Sequence, residues 1–330
     1  MGVRTALGDW LEGIGRGLWR GPLPLSLRAR LIAWIMRRWP RLRAPRRLAN
    51  GVAAGGARAL LSDPVAAHAL IAALRARGGC PVLIAGDSHS RLYVQRDGRD
   101  RRWLLPLHRL ATGASARGLA RASSRSGQGD AVRALMERLA MAGSSIPVLL
   151  VFGQVDVEFI FTFKRLEQDP PAAHQAAAFE AFCRETVDSY MAFASGLPGA
   201  PVAVAAIFPP ALSDAAWRQG YLNAHIAQQH TVLDFATLGA RLQAASVEPL
   251  TARTGHHALF NRRLGEAARA HGLGWLDAFD DLIGAAGVAE ALGPAAGRDH
   301  HLDVDAVRPA VVERLWRLID AAPRPTPAHG

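Results

Sequence analysis

Apolar residues along this chain fall into short continuous runs separated by longer stretches of helical spacing. Pro81–Ala85, Pro147–Phe152 and Pro201–Phe208 are almost wholly apolar. Such runs predict strands buried on both faces of a parallel sheet rather than alternating, half-exposed ones. Arg102–Leu107 and Gly274–Phe279 read as further strands. Between them, helical spacing predicts helices over 51–79 with a break at Asp63-Pro64, then over 128–142, 172–195, 259–270 and 304–321. The strand–helix alternation predicts a three-layer α/β/α sandwich with a mainly parallel sheet of about five strands. The proline-bearing segment 323–330 reads as a disordered tail.

Residues 1–50 have a different character. They hold eleven arginines against Asp9 and Glu12, and Trp10, Trp19, Trp34 and Trp39 are four of the chain's eight tryptophans. Within Ser26–Arg38, Leu27, Leu31, Trp34 and Ile35 recur at helical spacing with arginines interleaved, and Pro40 is expected to end the helix. Two readings stay open for this basic amphipathic arm. It docks on an anionic membrane surface, or its apolar stripe packs on the protein's own body. The expected organisation is therefore an arm over 1–50, a catalytic domain over 51–322 and the tail.

The formal net charge of +11 belongs almost entirely to that arm, which leaves the body near neutral. Without a recognisable nucleic-acid module in the body, no nucleic acid is expected as a partner. Cys80 and Cys183 have no metal-ligand spacing and form no disulfide framework, so they read as buried thiols in a reducing compartment. No apolar run reaches the ~18 residues of a membrane span, and no cleavable leader is apparent. These points lead to a cytoplasmic expectation, peripheral to the membrane if the arm docks there.

The chemistry concentrates where apolar runs stop. The run Val82-Leu-Ile-Ala85 ends in Gly86-Asp87-Ser88, which would deliver a serine hydroxyl to the carboxyl edge of the sheet, at the start of a helix whose N–H groups face developing charge. Ser88 is the candidate nucleophile. Asp299-His300-His301-Leu302-Asp303, late in the chain, offers an acid and a base within one loop. Glycines recur after two other strands, in Thr112-Gly113 to Gly118-Leu119 and in Phe152-Gly153-Gln154-Val155-Asp156. Ligands of open α/β sheets bind at this edge. His89, His108, Arg109, Arg117 and Asp156 are candidate substrate contacts. Each also has a bland reading, with Asp87 and Asp156 ordering turns and the others lying on the surface. His256-His257 reads as capping or surface.

These four blocks, in this order, resemble those of the SGNH hydrolases, the GDSL esterase/lipase superfamily, from about residue 80 to 320. The resemblance implies an SGNH/flavodoxin-like fold and a serine esterase, or a related acyltransferase, that needs no cofactor or metal and acts on small-molecule or glycan esters. It implies Ser88 as nucleophile, His301 as base and Asp299 as acid, with an oxyanion hole from the N–H groups of Ser88 and Gly113. Two positions depart from the family pattern. Val155 stands where the family's asparagine donates to the oxyanion, so Gln154 is expected to supply the amide. Asp299 precedes His301 by two residues instead of three, which keeps Asp303 and Asp305 open as the acid and His300 as the base. The cationic residues near the expected site lean the substrate towards an O-acetyl ester of a carbohydrate. Two rival readings remain. One is a metal-dependent phosphoesterase, with Asp87, His89, Asp299, His300, His301 and Asp303 as ligands. The other is a non-catalytic glycan- or partner-binding protein.

Overall fold

In the computed structural model, residues 3–38, 43–121, 127–142, 144–169, 171, 175–199, 201–245, 248–289, 292–293 and 299–322 are described. The expected tail at 323–330 and the helix-ending Pro40 lie outside them.

Four helices come first: α1 (Val3–Gly17), α2 (Leu25–Arg38), α3 (Arg43–Ser62) and α4 (Pro64–Arg75). Asp63 caps α4 by accepting from the Ala66 N–H, and Pro64 occupies the first turn, where its missing N–H costs nothing. The strands follow as β1 (Gly79–Gly86), β2 (Gly98–Arg99) and β3 (Arg102–Leu110). Next come α5 (Ala116–Leu119), α6 (Gln128–Met141) and β4 (Val148–Val151). A π turn over Asp156–Ile160 leads into α7 (Phe161–Leu166), α8 (Ala176–Ser195) and β5 (Val202–Ala205). The chain closes with α9 (Asp214–Arg218), α10 (Ala224–His230), α11 (Phe235–Ala244), α12 (Leu250–Ala270), β6 (Gly274–Leu276) and α13 (Arg308–Ala321).

The sheet order is β2-β3-β1-β4-β5-β6. Five strands run parallel, and only the two-residue β2 is antiparallel, against β3. Alternate strand residues feed two cores. Leu83, Ala85, Leu105, Leu107, Leu150 and Val204 face the helical layer that includes α3, α6, α8 and α12. Val82, Ile84, Leu104, Leu149, Val151 and Ala205 face α13 through Val311, Leu315 and Trp316. This is the expected three-layer α/β/α sandwich, with both sheet faces covered as parallel sheets require.

The boundary expected near residue 50 falls inside α3. The first helices share the core of the body: Trp19 is 1% exposed and Ile32 0%, and both belong to the same cluster as Leu83 and Leu107. Glycines allow this. A side chain on Gly15 would collide with the Leu48 carbonyl of α3, and one on Gly51 with the Glu12 carbonyl of α1, so α1 and α3 pack backbone against backbone. The opposite face of α1 keeps Leu7, Trp10 and Ile14 exposed. Among the described residues, no helix is long and apolar enough to cross a membrane. Cys183 is buried and Cys80 half-buried, and neither forms a disulfide.

Candidate active site

Strand β1 ends beside both of its neighbours. Gly86 pairs with Leu110 of β3 and Val151 of β4, so the loops after these three strands converge at one edge. Ser88 begins a 3₁₀ segment, Ser88–Tyr93, rather than the α-helix expected there. Asp87 caps it: its Oδ1 accepts from the His89 N–H at 2.8 Å. Asp87 is fully buried, and that burial pushes its carboxyl up to about 7 despite the His89 N–H bond. It orders the turn, as its bland reading held.

His301 Nε2 lies 2.7 Å from Ser88 Oγ, and His301 Nδ1 lies 2.7 Å from Asp299 Oδ1. The two-residue spacing works because Asp299 Oδ1 also accepts the His301 backbone N–H at 3.2 Å. This local turn folds the acid back onto the base that follows it. Partial burial opposes the charge of Asp299, but the hydrogen bond and charge of His301 outweigh it and hold the carboxyl below its ordinary value. The other candidates are engaged elsewhere. Asp303 accepts from the Asp305 and Ala306 N–H groups, and Asp305 pairs with Arg46. His300 is buried against Phe159, with Nδ1 2.7 Å from the Tyr221 hydroxyl. Burial, together with His89 and His301 nearby, pushes its imidazole down to about 2, so it stays neutral.

Gly113 sits in the turn after β3 at φ 72°, a left-handed conformation that suits glycine. Its carbonyl accepts from His230 Nε2 at 2.6 Å, so α10 closes over this turn. The turn is held from below by Asp156, whose two carboxylate oxygens accept the Ala116 N–H at 2.6 Å and the Arg117 N–H at 3.3 Å. Asp156 is fully buried, and its carboxyl is pushed up to about 7. It positions the glycine loop, and its burial removes it from the candidate substrate contacts.

Gln154 requires a correction. Its Nε2 donates to the Phe208 carbonyl at 3.1 Å and to Glu158 Oε2 at 3.3 Å, and its Oε1 accepts the Phe208 N–H at 2.8 Å. The amide ties the loop after β4 to the exit of β5, so it is not the expected oxyanion donor. Val155 is fully buried in the core. The candidate hole is thus left with backbone donors.

Four of the expected substrate contacts are also engaged elsewhere. His89 is 1% exposed, close to Asp87, with its ring 4.6 Å from that of His301. His108 donates from Nε2 to Ser90 Oγ at 2.8 Å and is kept neutral by burial, which brings its imidazole down to about 3. Arg109 donates to Gln128 Oε1, and Arg117 pairs with Glu185 at 2.6 Å. His257, expected on the surface, is buried and donates from Nδ1 to the Phe208 carbonyl at 2.7 Å, beside Asn261, which holds both backbone groups of Ile207. Tyr221, His230 and Glu158 were not anticipated, because their partners lie far off in the chain.

Glu158 makes a pH prediction. Burial pushes its carboxyl up to about 8, so the folded protein holds a proton that an unfolded glutamate releases near its ordinary value of 4.5. Its contribution to stability is full below that ordinary value and is lost as pH rises through about 8. Glu158→Gln does not titrate. Its Tm measured against wild type should therefore improve steadily between pH 5 and pH 8, and a constant difference would contradict the buried, neutral acid.

His89, His300 and His301 offer ring nitrogens within 4.8 Å of one another, a donor set suited to a borderline ion such as zinc. A metal there would take an imidazole already shared between Ser88 and Asp299. Asp303, counted in the phosphoesterase reading, is occupied by backbone N–H groups.

The fold and this arrangement together define an α/β protein with a serine, histidine and aspartate in line at the carboxyl edge of a parallel sheet. No family model matches the chain. No curated protein matches it either. Among solved structures, it is similar to a proposed SGNH hydrolase of Slackia heliotrinireducens, at 15% identity over 72% of this chain and 99% of that one, with a TM-score of 0.37. It is similar to a proposed acylhydrolase of Bacteroides fragilis at 11% identity, 73% and 86% coverage and a TM-score of 0.36. An extracellular lipase of Streptomyces rimosus aligns at 13% identity, 74% and 99% coverage and a TM-score of 0.35.

Proposed function

We propose that the protein is a serine ester hydrolase of the SGNH type, acting through an acyl-enzyme on O-acyl esters. The observation that carries this is the line Asp299–His301–Ser88, with both contacts at 2.7 Å. His301 Nε2 takes the Ser88 proton as Oγ attacks the ester carbonyl. The tetrahedral oxyanion is held by the N–H groups of Ser88 and Gly113. His301 then gives its proton to the departing alkoxide, leaving the acyl group on Oγ. Water, deprotonated by the same imidazole, attacks this ester, releases the acid and restores Ser88. Asp299 holds the tautomer with the proton on Nδ1 and balances the imidazolium.

The substrate class we assign is an O-acetylated carbohydrate. His108, Arg109 and Arg117 no longer support that assignment. Its support comes from α10, which sets Gln229 and the exposed His225 beside Gly113. Deacetylation of acetylated oligosaccharides, measured beside hydrolysis of an aryl octanoate, should favour the sugar at least tenfold in kcat/KM. Preference for octanoate would overturn the carbohydrate assignment and leave the esterase standing. Hydrolysis of an aryl phosphate that is abolished by chelation and restored by a divalent metal would instead favour the phosphoesterase alternative.

A second proposal concerns the partner of the first helices. Leu7, Trp10 and Ile14 form one exposed stripe on α1, and Leu25 and Leu27 are exposed at the start of α2. With the surplus of arginine in this segment, the stripe suits the surface of an anionic membrane. Co-sedimentation with phosphatidylglycerol vesicles should fall at least tenfold in Trp10→Ala/Ile14→Ala, since full burial of one such side chain contributes about 1.5–3 kcal/mol and each of these is already partly covered. Equal binding of the variant, or of phosphatidylcholine vesicles, would remove the proposal.

A further inference from the structure

A second pocket lies beside the π turn, and none of Ser88, Asp299 and His301 lines it. Val157, Phe161, Leu166, Pro210 and Leu242 form an apolar part of its wall, and the charged Arg165 and Glu248 line it as well. Three side chains that line it carry a buried polar atom without a hydrogen-bond partner: Glu158 Oε1, Trp217 Nε1 and Arg253 Nη1. Buried polar groups are nearly always satisfied, and each one left unmade costs about 1–3 kcal/mol. Three such atoms around one pocket point to a missing ligand more strongly than to three separate defects.

The three groups are held in place by other bonds. Arg253 Nη2 donates to the Leu212 carbonyl at 2.7 Å and to Asp214 at 2.8 Å, and its guanidinium lies over the Trp217 ring. Gln154 holds the other oxygen of Glu158. Glu158 itself is 5% exposed and projects from the π turn, a local widening of the helix often found at functional sites. Because burial keeps its carboxyl protonated at neutral pH, Glu158 can donate, as the indole and guanidinium do. Three donors beside an apolar stretch of wall suit a group that only accepts, and the second Arg253 nitrogen, Nη1, is left to it while Nη2 holds Asp214.

We propose that this pocket binds a small monocarboxylate, with Arg253, Trp217 and Glu158 donating to the carboxylate and the alkyl chain lying along the apolar wall. The site is separate from Ser88 and does not depend on the esterase reading. Calorimetric titration of the full chain with octanoate tests it, with octanol and octylamine as controls. Octanoate should bind at least tenfold more tightly than either. Trp217→Phe, which removes one donor and little volume, should weaken octanoate about tenfold and leave octanol unchanged. Ala245→Phe, on the pocket wall, should abolish binding without changing ester hydrolysis. Binding should also survive in protein whose Ser88 carries a phosphonate, which separates this pocket from an acyl site at the serine. Absence of octanoate binding, as expected if the polar atoms meet only water, would overturn the proposal. So would equal binding of octanoate and octanol, or loss of binding on blocking Ser88.

Discussion

Replacing Ser88 by alanine is expected to lower kcat/KM for a simple acetate ester by about 10⁴-fold or more, because the covalent step has no substitute. The residual rate would come from the backbone donors and from substrate binding. The same change should leave Tm almost untouched. Ser88 Oγ bonds to His301, whose side chain is 27% exposed, so the freed nitrogen can turn to water. Kinetics and a thermal melt on the same preparation check both halves. More than a tenth of wild-type activity in the variant would mean that another group attacks the ester.

The largest expected effect on stability lies far from that site. Trp19 is 1% exposed, packs against Gly55 and Gly56 of α3, and donates from Nε1 to the Val52 carbonyl at 2.7 Å. Trp19→Ala removes a full indole from the core, at a cost of about 3–5 kcal/mol. For a chain of this size that lowers Tm by about 4–7 °C. Residues 3–38 thus act as part of the body, and a chain lacking them should lose the shielding of α3 and aggregate. An unchanged melt for Trp19→Ala would mean that the first helices are detachable. The face of α1 that packs on the body lies opposite the exposed stripe for which membrane docking is proposed, so the two alternatives open in the sequence are compatible.

The legible parts of the fold were those where burial alone decides the residue type. β1, β4 and β5 are covered on both faces, so they appear as continuous apolar runs. The helices α9, α10 and α11 are 5, 7 and 10 residues long, too short for periodicity to stand out, although Ser213, Asn223 and Asp234 each cap one. The π turn Asp156–Ile160 alternates acidic and apolar residues, and its backbone widening has no signature in residue types.

Within the site, Ser88, Asp299 and His301 were readable because each sits in a short local block and their contacts within a block are local. The destinations of Gln154, His108, Arg109 and Arg117 were not. Their partners are Phe208, Ser90, Gln128 and Glu185, which the fold brings close from 54, 18, 19 and 68 residues away. A polar side chain near a catalytic block looks alike in sequence whether it faces substrate or staples two loops. Only the register of the strands distinguishes the two.

The most direct test of the central claim is covalent labelling with a fluorophosphonate, followed by peptide mass spectrometry. A serine nucleophile poised by His301 should take up one phosphonyl group, on the peptide carrying Ser88, and Ser88→Ala should take up none. Label on a different residue, or no label on folded wild-type protein, would contradict the assignment of Ser88 as an activated nucleophile.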